Sequence, residues 1–328
     1  MFHISTHLKA FFRNEFFLTD YIYKVTNYDA GMMETGFITE GYFDHYMADA
    51  TELLGDVGTS VIKRRNHLYP VQNDKRRYEF AFTPSTGFLG SPDPLLNNTE
   101  LKISFDRSRP ETALLAVTSI NHDCDYIEIN DCYAVTEYIS SPEIRDYFST
   151  IDTHPIVYEY DSVDVLIKNI PKGETDVRLD NIRGGKNPSY LFLGLIPQKS
   201  LDGDFLKSST SFRNHNLSEI NITLNGNSVN SYPITMKNKS MIYPLYKFLE
   251  TTNHLYNNKC GSAITINEFE CNFLISHKFE CEISDSGWIG INFKLSETKD
   301  DDPLCMVCWF INENKLTVDK FHSVEKIN

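Results

Sequence analysis

The sequence predicts an all-β protein of many short strands, with two or three short helices as excursions. Three observations carry this. Aromatic residues make up 13% of the 328 residues, with 18 Tyr and 22 Phe, and aromatic side chains suit pleated, half-buried surfaces. Apolar and polar residues alternate with period two in segment after segment, the mark of half-buried antiparallel strands. The breaks between segments are rich in Asn, Asp, Ser, Gly and Pro, which turns select. Short strands separated by turn signals favour a sandwich or barrel over a βαβ sheet.

Taken in order, residues 1–60 carry mixed periodicity, and MMETGFITEGYFDHYMADATELLG fits a short helix. Alternation starts at Tyr78, Phe80 and Phe82 and returns at Leu101, Ile103 and Phe105, with further strands expected at 113–119, 125–129 and 132–139. Ser140 with Glu143 fits a capping box, Pro142 fits the first helical turn, and Ile144, Tyr147 and Phe148 supply an apolar helix face. A domain junction is expected just after this helix, near Thr153.

Strands resume at Ile156, Tyr158 and Tyr160, then at Val163, Val165 and Ile167. Residues 169–188 read as two glycine-containing turns around a short segment at 176–182. The continuous apolar run SYLFLGLI, 189–196, fits a strand buried on both faces. After a polar excursion, Ile220, Ile222 and Leu224 alternate and run into Asn225-Gly226, the strongest short hairpin signal because both positions tolerate positive φ. A helix is expected after Ser240, with Ile242, Leu245 and Leu249 on one face and Pro244 in its first turn. The last strands are expected at 262–267, 270–277, 287–295, 303–311 and 315–319.

The net charge of -14 favours solubility and repels polyanions. Two basic clusters, Lys63-Arg64-Arg65 and Lys75-Arg76-Arg77, read as a solvated face or a subunit contact, with nucleic acid at most a weak, non-specific partner. Lys9, Arg13 and Glu15 interrupt the apolar N-terminus, which therefore reads as neither a signal peptide nor a membrane span. Without such a signal, the glycosylation-type triplets at Asn97, Asn216, Asn221 and Asn238 read as chance matches. Seven cysteines, at 124, 132, 260, 271, 281, 305 and 308, lack framework spacing and read as reduced thiols of an intracellular protein that is not secreted.

No catalytic, cofactor-binding or metal site is expected. Cys305 and Cys308 form a CxxC pair inside a strand, where residues three apart point to opposite faces and do not share a metal. Ten histidines include no His-x-His pair, which weighs against a cupin-type metal enzyme. Asp123, Asp125, Glu128 and Asp131 lack the glycine of a calcium loop and read as a solvated loop. Asp300-Asp301-Asp302 reads as a polar turn and Gly184-Gly185-Lys186 as a turn with a lone lysine. No nucleophile elbow, phosphate loop or dinucleotide fingerprint occurs.

Several segments, in order, resemble the hexon-like major capsid proteins of Polinton/Maverick elements and adintoviruses. The run from Asn187 to Ile234 carries the strongest likeness. YEFAFTPSTGFLGSPDPLLNNTELKISFDRSRPETALL resembles the family's strand, loop, strand pattern through Leu95, Leu96, Asn97 and Arg107-Ser108. YIEINDCYAVTEYISSPEIRDYF, LDGDFLKSSTSFRNHNLSEINITLNG and CMVCWFINENKLTVD resemble later family segments. The resemblance spans about residues 40–320.

It implies a double jelly roll, two β-sandwiches side by side, with residues 1–153 in the first and 154–328 in the second. It further implies homotrimeric capsomers in an icosahedral shell, neighbouring capsomers and a penton-type minor capsid protein as partners, and location in the virion. Family members carry a longer N-terminal region, so the first jelly roll is expected to be incomplete, as in a shortened or domesticated endogenous copy. Segments 83–96, 198–216 and 251–261 are the expected contact or tower loops. The rival reading is a carbohydrate- or protein-binding β-sandwich that does not assemble, with exposed Tyr and Trp (the tryptophans being Trp288 and Trp309) as a sugar platform.

Overall fold

The computed structural model describes residues 4–7, 94–96, 101–104, 109, 139–204, 207, 212–230, 233–236, 241–252, 266–271, 273–280, 286–296, 302–321 and 323–327. Most of residues 1–153, where a first jelly roll is expected, including the strands expected at 78–82, 113–119 and 125–129, both basic clusters and the acidic cluster at 123–131, lies outside the described residues. Of the N-terminal half, β1 (Ile4–His7) pairs in parallel with β2 (Leu101–Ser104).

The first described helix, α1 (Pro142–Ser149), follows directly from its sequence. Ser141, one residue later than expected, is the N-cap, and its Oγ accepts from the Ile144 N–H at 3.2 Å. Proline at the first helical position fixes the cap on the residue before it. Phe148 and Ile151 pack against a small core of Ile156, Tyr158 and Val318, joined by Leu96. The Tyr158 hydroxyl donates to the Pro94 carbonyl at 3.3 Å, tying residues 94–96 to the C-terminal half.

Eight strands then build a sandwich. In chain order they are β3 (Ile156–Ile170), β4 (Asp176–Lys186), β5 (Tyr190–Pro197), β6 (Leu217–Leu224), β8 (Ile234–Thr235), β9 (Ile275–Lys278), β10 (Ser286–Leu295) and β11 (Leu304–Val318). One sheet runs β3-β11-β5-β9 and the other β4-β10-β6-β8, every pairing antiparallel. Numbered along the chain, the sheets are first-eighth-third-sixth and second-seventh-fourth-fifth, which is the strand order of a jelly roll. Two short strands extend it, β7 (Asn227–Ser228) beside β6 and β12 (Val324–Ile327) beside β11. Asn225 and Gly226 both take positive φ, 54° and 81°, and join β6 to β7 as the two-residue hairpin expected.

Several strands are longer than the sequence suggested. The segments at 156–160 and 163–167 are one strand, and so are 303–311 and 315–319, because β3 and β11 pair without a break from Leu304↔Ile170 to Val318↔Ile156. The polar residues that looked like a turn are held in the ladder, Asn312 Nδ2 by Asp164 at 3.0 Å and Asn314 Nδ2 by Ser162 at 2.6 Å. Gly184 and Gly185 are not a turn either. They pair with Trp288 and Gly287 inside β4, and the chain bends instead at a bulge where Asn181 takes φ 51°.

The run at 191–196 is buried throughout, as expected. Leu191, Leu193 and Leu195 share a face of their sheet with Phe310, Cys308 and Met306, toward the second sheet; Phe192, Gly194 and Ile196 share the opposite face with Trp309, Val307 and Cys305. That opposite face is covered by a third layer of α3 (Ile242–Thr251), α4 (Ile266–Cys271), Phe212 and Phe273. Its aromatic rings meet in sequence: Phe192 and Phe248 at 6.4 Å, Phe248 and Phe269 at 5.5 Å, Phe269 and Phe273 at 5.4 Å, and Phe212 and Trp309 at 5.4 Å.

This layer departs most from expectation. In α3 the buried residues are Pro244, Phe248, Leu249 and Thr251, while Ile242 is 64% exposed, because Phe248 rotates the helix to meet Phe192 and Phe269. Of the segments expected as strands at 262–267 and 270–277, the described residues form α4 at Ile266–Cys271 and then the short β9, while 262–265 lie outside the described residues. A further helix, α2 (Gln198–Asp202), opens the segment 198–216, with Ser200 and Leu201 buried.

Candidate interaction surface

The two ends of the sandwich are closed by polar contacts. At one end Arg183 reaches from β4 across to the other sheet. Its Nη2 donates to Asp164 at 3.0 Å and to Asn312 Oδ1 at 2.8 Å, and the guanidinium lies over the Phe310 ring at 4.8 Å. Burial lowers the Arg183 pKa and Asp164 opposes that shift. Because Asp164 is 65% exposed, water screens the ion pair, so it is worth at most about 1 kcal/mol. The stacking on Phe310 and the fixed geometry matter more, since they pin the sheets to one another. Lys186 adds a second tie, donating to the Glu313 carbonyl at 3.2 Å.

At the start of β11 the tie is Asp302. Lys199 and Lys207 approach its two carboxylate oxygens at 2.8 and 2.7 Å, and their hydrogen bonds hold its carboxyl below the usual carboxylate range. The sequence showed a polar turn here; it is an anchor for α2 and the residue after its loop. The segment 198–216 is accordingly no free contact loop in its described parts. Phe212 is fully buried, and its carbonyl accepts from the Phe273 N–H at 2.8 Å.

The surface left over carries apolar side chains on the helical excursion: Ile242 at 64% exposure, Tyr243 at 45% and Ile266 at 45%. Exposed apolar side chains of this kind suit contact with another chain, and Ile139 at 64% and Phe321 at 78% are further examples among the described residues. Among the described residues no three His, Cys, Asp or Glu side chains gather as a metal site, and no helix is long and apolar enough to cross a membrane.

No family model matches the chain. It is 21% identical over 198 residues to the uncharacterized protein F54H12.2 of Caenorhabditis elegans, a match covering 58% of this chain and 46% of that protein. The chain therefore spans less than half the length of this relative. Its structural neighbours include viral capsid proteins. The mavirus major capsid protein aligns over 58% of this chain and 44% of its own, at TM-score 0.36 and 8% identity. The Sputnik virophage structure aligns over 53% and 39%, at TM-score 0.35 and 10% identity. The PBCV-1 capsid aligns over 53% and 51%, at TM-score 0.33 and 10% identity.

The remaining residues singled out in the sequence separate cleanly. Trp309 is fully buried and cannot serve a platform, whereas Trp288 is 37% exposed. Asn221 lies in mid-strand, accepting from Ser228 Oγ at 2.6 Å. Cys305 and Cys308 point to opposite faces of β11 and are both buried free thiols. Burial, with Asp202 adding to it, pushes the Cys305 thiol up to about 11, and burial alone drives Cys308 above the ordinary thiol range. The thiolate is the reactive form. Peptide-resolved alkylation at about pH 8 is therefore expected to label these two thiols only after denaturant is added. Rapid labelling of either in the folded protein would contradict the burial of β11.

Proposed function

We propose that the chain is a structural, hexon-like major capsid protein, or a domesticated relative of one, with no catalytic role. The observation that carries the reading is the jelly-roll strand order of residues 156–318, in the part of the chain where the run 187–234 resembles that family. A building block needs stiffness and edge-to-edge contact more than a reactive centre. The sandwich supplies stiffness through its three buried layers and through Arg183 and Asp302 at its ends. In this reading residues 1–153 form a first jelly roll beside residues 154–328, with the border near Thr153. The protein forms homotrimers that tile an icosahedral shell beside a penton-type partner. It resides in the virion and, before assembly, in the cell that makes it. Nucleic acid contributes at most weak contact.

Native mass spectrometry and sedimentation equilibrium test this directly. The expected species is a trimer, and replacing Ile242 and Tyr243 with aspartate and serine is expected to shift it toward monomer while leaving the circular-dichroism spectrum unchanged. A chain that stays monomeric at high concentration would argue against a capsomer role.

A further inference from the structure

We propose that the outer face of the β4-β10-β6-β7 sheet, centred on Trp288, is a binding site for a neutral oligosaccharide. The ring is presented rather than merely exposed. Its backbone N–H donates to Asn225 Oδ1 at 2.9 Å, and the Asn225 N–H donates back to the Trp288 carbonyl at 2.8 Å. The six-membered part of the indole rests on the hairpin tip, where a Cβ on Gly226 would lie 3.3 Å from Cη2 and 3.4 Å from Cζ2. Across the sheet its partner is Gly184. On the β4 side the partner carries no side chain, and on the other side the ring edge lies over Gly226. Covering those glycines explains where the indole lies; its 37% exposure on a buttressed turn leaves surface for a ligand.

The rest of this face is polar, and its Arg178 and Lys294 cations are paired. Gly290 follows Trp288 on the same side of β10, with Thr223 beside it, and Asn292 stands between Asn221 and Arg178. Arg178 is paired with Asp176 at 3.5 Å, and Lys294 with Glu219 at 3.3 Å. Both of these cations are matched by a carboxylate, and Asp180 beside Gly290 adds a further exposed acid, so the face offers no excess positive charge to an anionic group, which the chain's net charge of -14 also repels. What remains is an aromatic plane for the C–H face of a pyranose, with the partly exposed amides of Asn221 and Asn292 and the exposed hydroxyl of Ser228 beside Asn221 to meet its hydroxyl groups. Four steps of extended strand lead from Trp288 to Asn292, about 13 Å, a span suited to several linked sugars.

The two-tryptophan sequence gives a clean readout. Trp309 is fully buried, so a change in emission on adding saccharide reports Trp288. The full-length protein is titrated with cellotetraose, chitotetraose and maltotetraose, and with a sulfated heparin tetrasaccharide as the charged comparator. At least one neutral probe is expected to give a saturable blue shift at millimolar or lower concentration. Calorimetry is expected to show that Trp288→Ala abolishes this binding and Trp288→Phe weakens it. Asn292→Ala, which keeps both tryptophans, is expected to raise the half-saturation concentration several-fold. No saturable response to any neutral probe overturns the proposal, as does tighter binding of the sulfated probe. An unchanged affinity in Trp288→Phe and Asn292→Ala also overturns it, and these two variants decide the matter where Trp288→Ala fails to fold. The readout is independent of assembly, so a monomeric protein that binds saccharide would retain this site while losing the capsomer reading.

Discussion

Gly194→Val is expected to destabilise the protein by at least about 3 kcal/mol, the upper range for overpacking a filled core. A Cβ at this position would lie 2.5 Å from Phe212 Cδ1, 3.0 Å from Phe212 Cγ and 2.9 Å from Leu274 Cδ2. The Leu274 contact is with the far end of a flexible side chain. Phe212 has no such freedom, because its ring is wedged edge-on against Trp309 and its carbonyl is fixed by the Phe273 N–H. Gly194→Ala meets the same collision with a smaller group. A double-mutant cycle isolates the cause. Phe212→Ala alone is expected to cost about 3–5 kcal/mol through the cavity it leaves. In that background Gly194→Ala should become neutral or slightly stabilising, since alanine loses less backbone freedom on folding than glycine by roughly 0.5–1 kcal/mol. Urea titrations of the four proteins measure the coupling, and additive costs would rule out the ring as the obstacle.

The same contact shows what the sequence could and could not reveal. The run 189–196 announced a strand buried on both faces because every position but one is apolar or aromatic, and the structure buries Leu191 through Ile196. Asn225-Gly226 announced its hairpin because the conformation required is local to those two residues. The third layer was not legible. Phe212 sits in a polar segment with no periodicity, and its place in the core is set by a gap at Gly194, eighteen positions earlier. α4 looked like strand because a few residues carrying Phe269 cannot display a 3.6-residue period. β11 looked like two strands because Asn312 and Asn314 are polar, and their partners Asp164 and Ser162 come from a strand near the other end of the sandwich sequence. For the candidate surface the sequence could count two tryptophans. Only the fold shows that one is core and the other lies on a glycine turn.

Acid is expected to destabilise the β9 edge of the sandwich before it protonates the Asp302 anchor. His277 lies on β9 with its ring edge-on to Phe279 at 4.7 Å. Burial, reinforced by the Lys247 ammonium of α3, lowers its pKa from 6.5 to about 4. Lys247 is itself paired with Glu250 at 2.7 Å and feels Glu280, and Lys278 next to His277 lies over the Tyr190 ring at 5.7 Å. Between those two pH values the unfolded chain binds the proton and the folded chain does not, so stability falls as pH falls from 6.5 to about 4. At 1.36 kcal/mol per unit the loss from this one group approaches about 3 kcal/mol, and it stops below the folded value. Asp302 acts in a separate window. Its carboxyl is held below the usual 3.8, so its contribution is retained until the pH drops through that lower value. His277→Gln removes the titration without removing a polar side chain. It is expected to flatten the stability profile between pH 6.5 and about 4 while leaving the fall at lower pH in place. A variant whose profile parallels the parent across that interval would show that His277 titrates alike in the folded and unfolded chain, and so is not buried at the β9 edge.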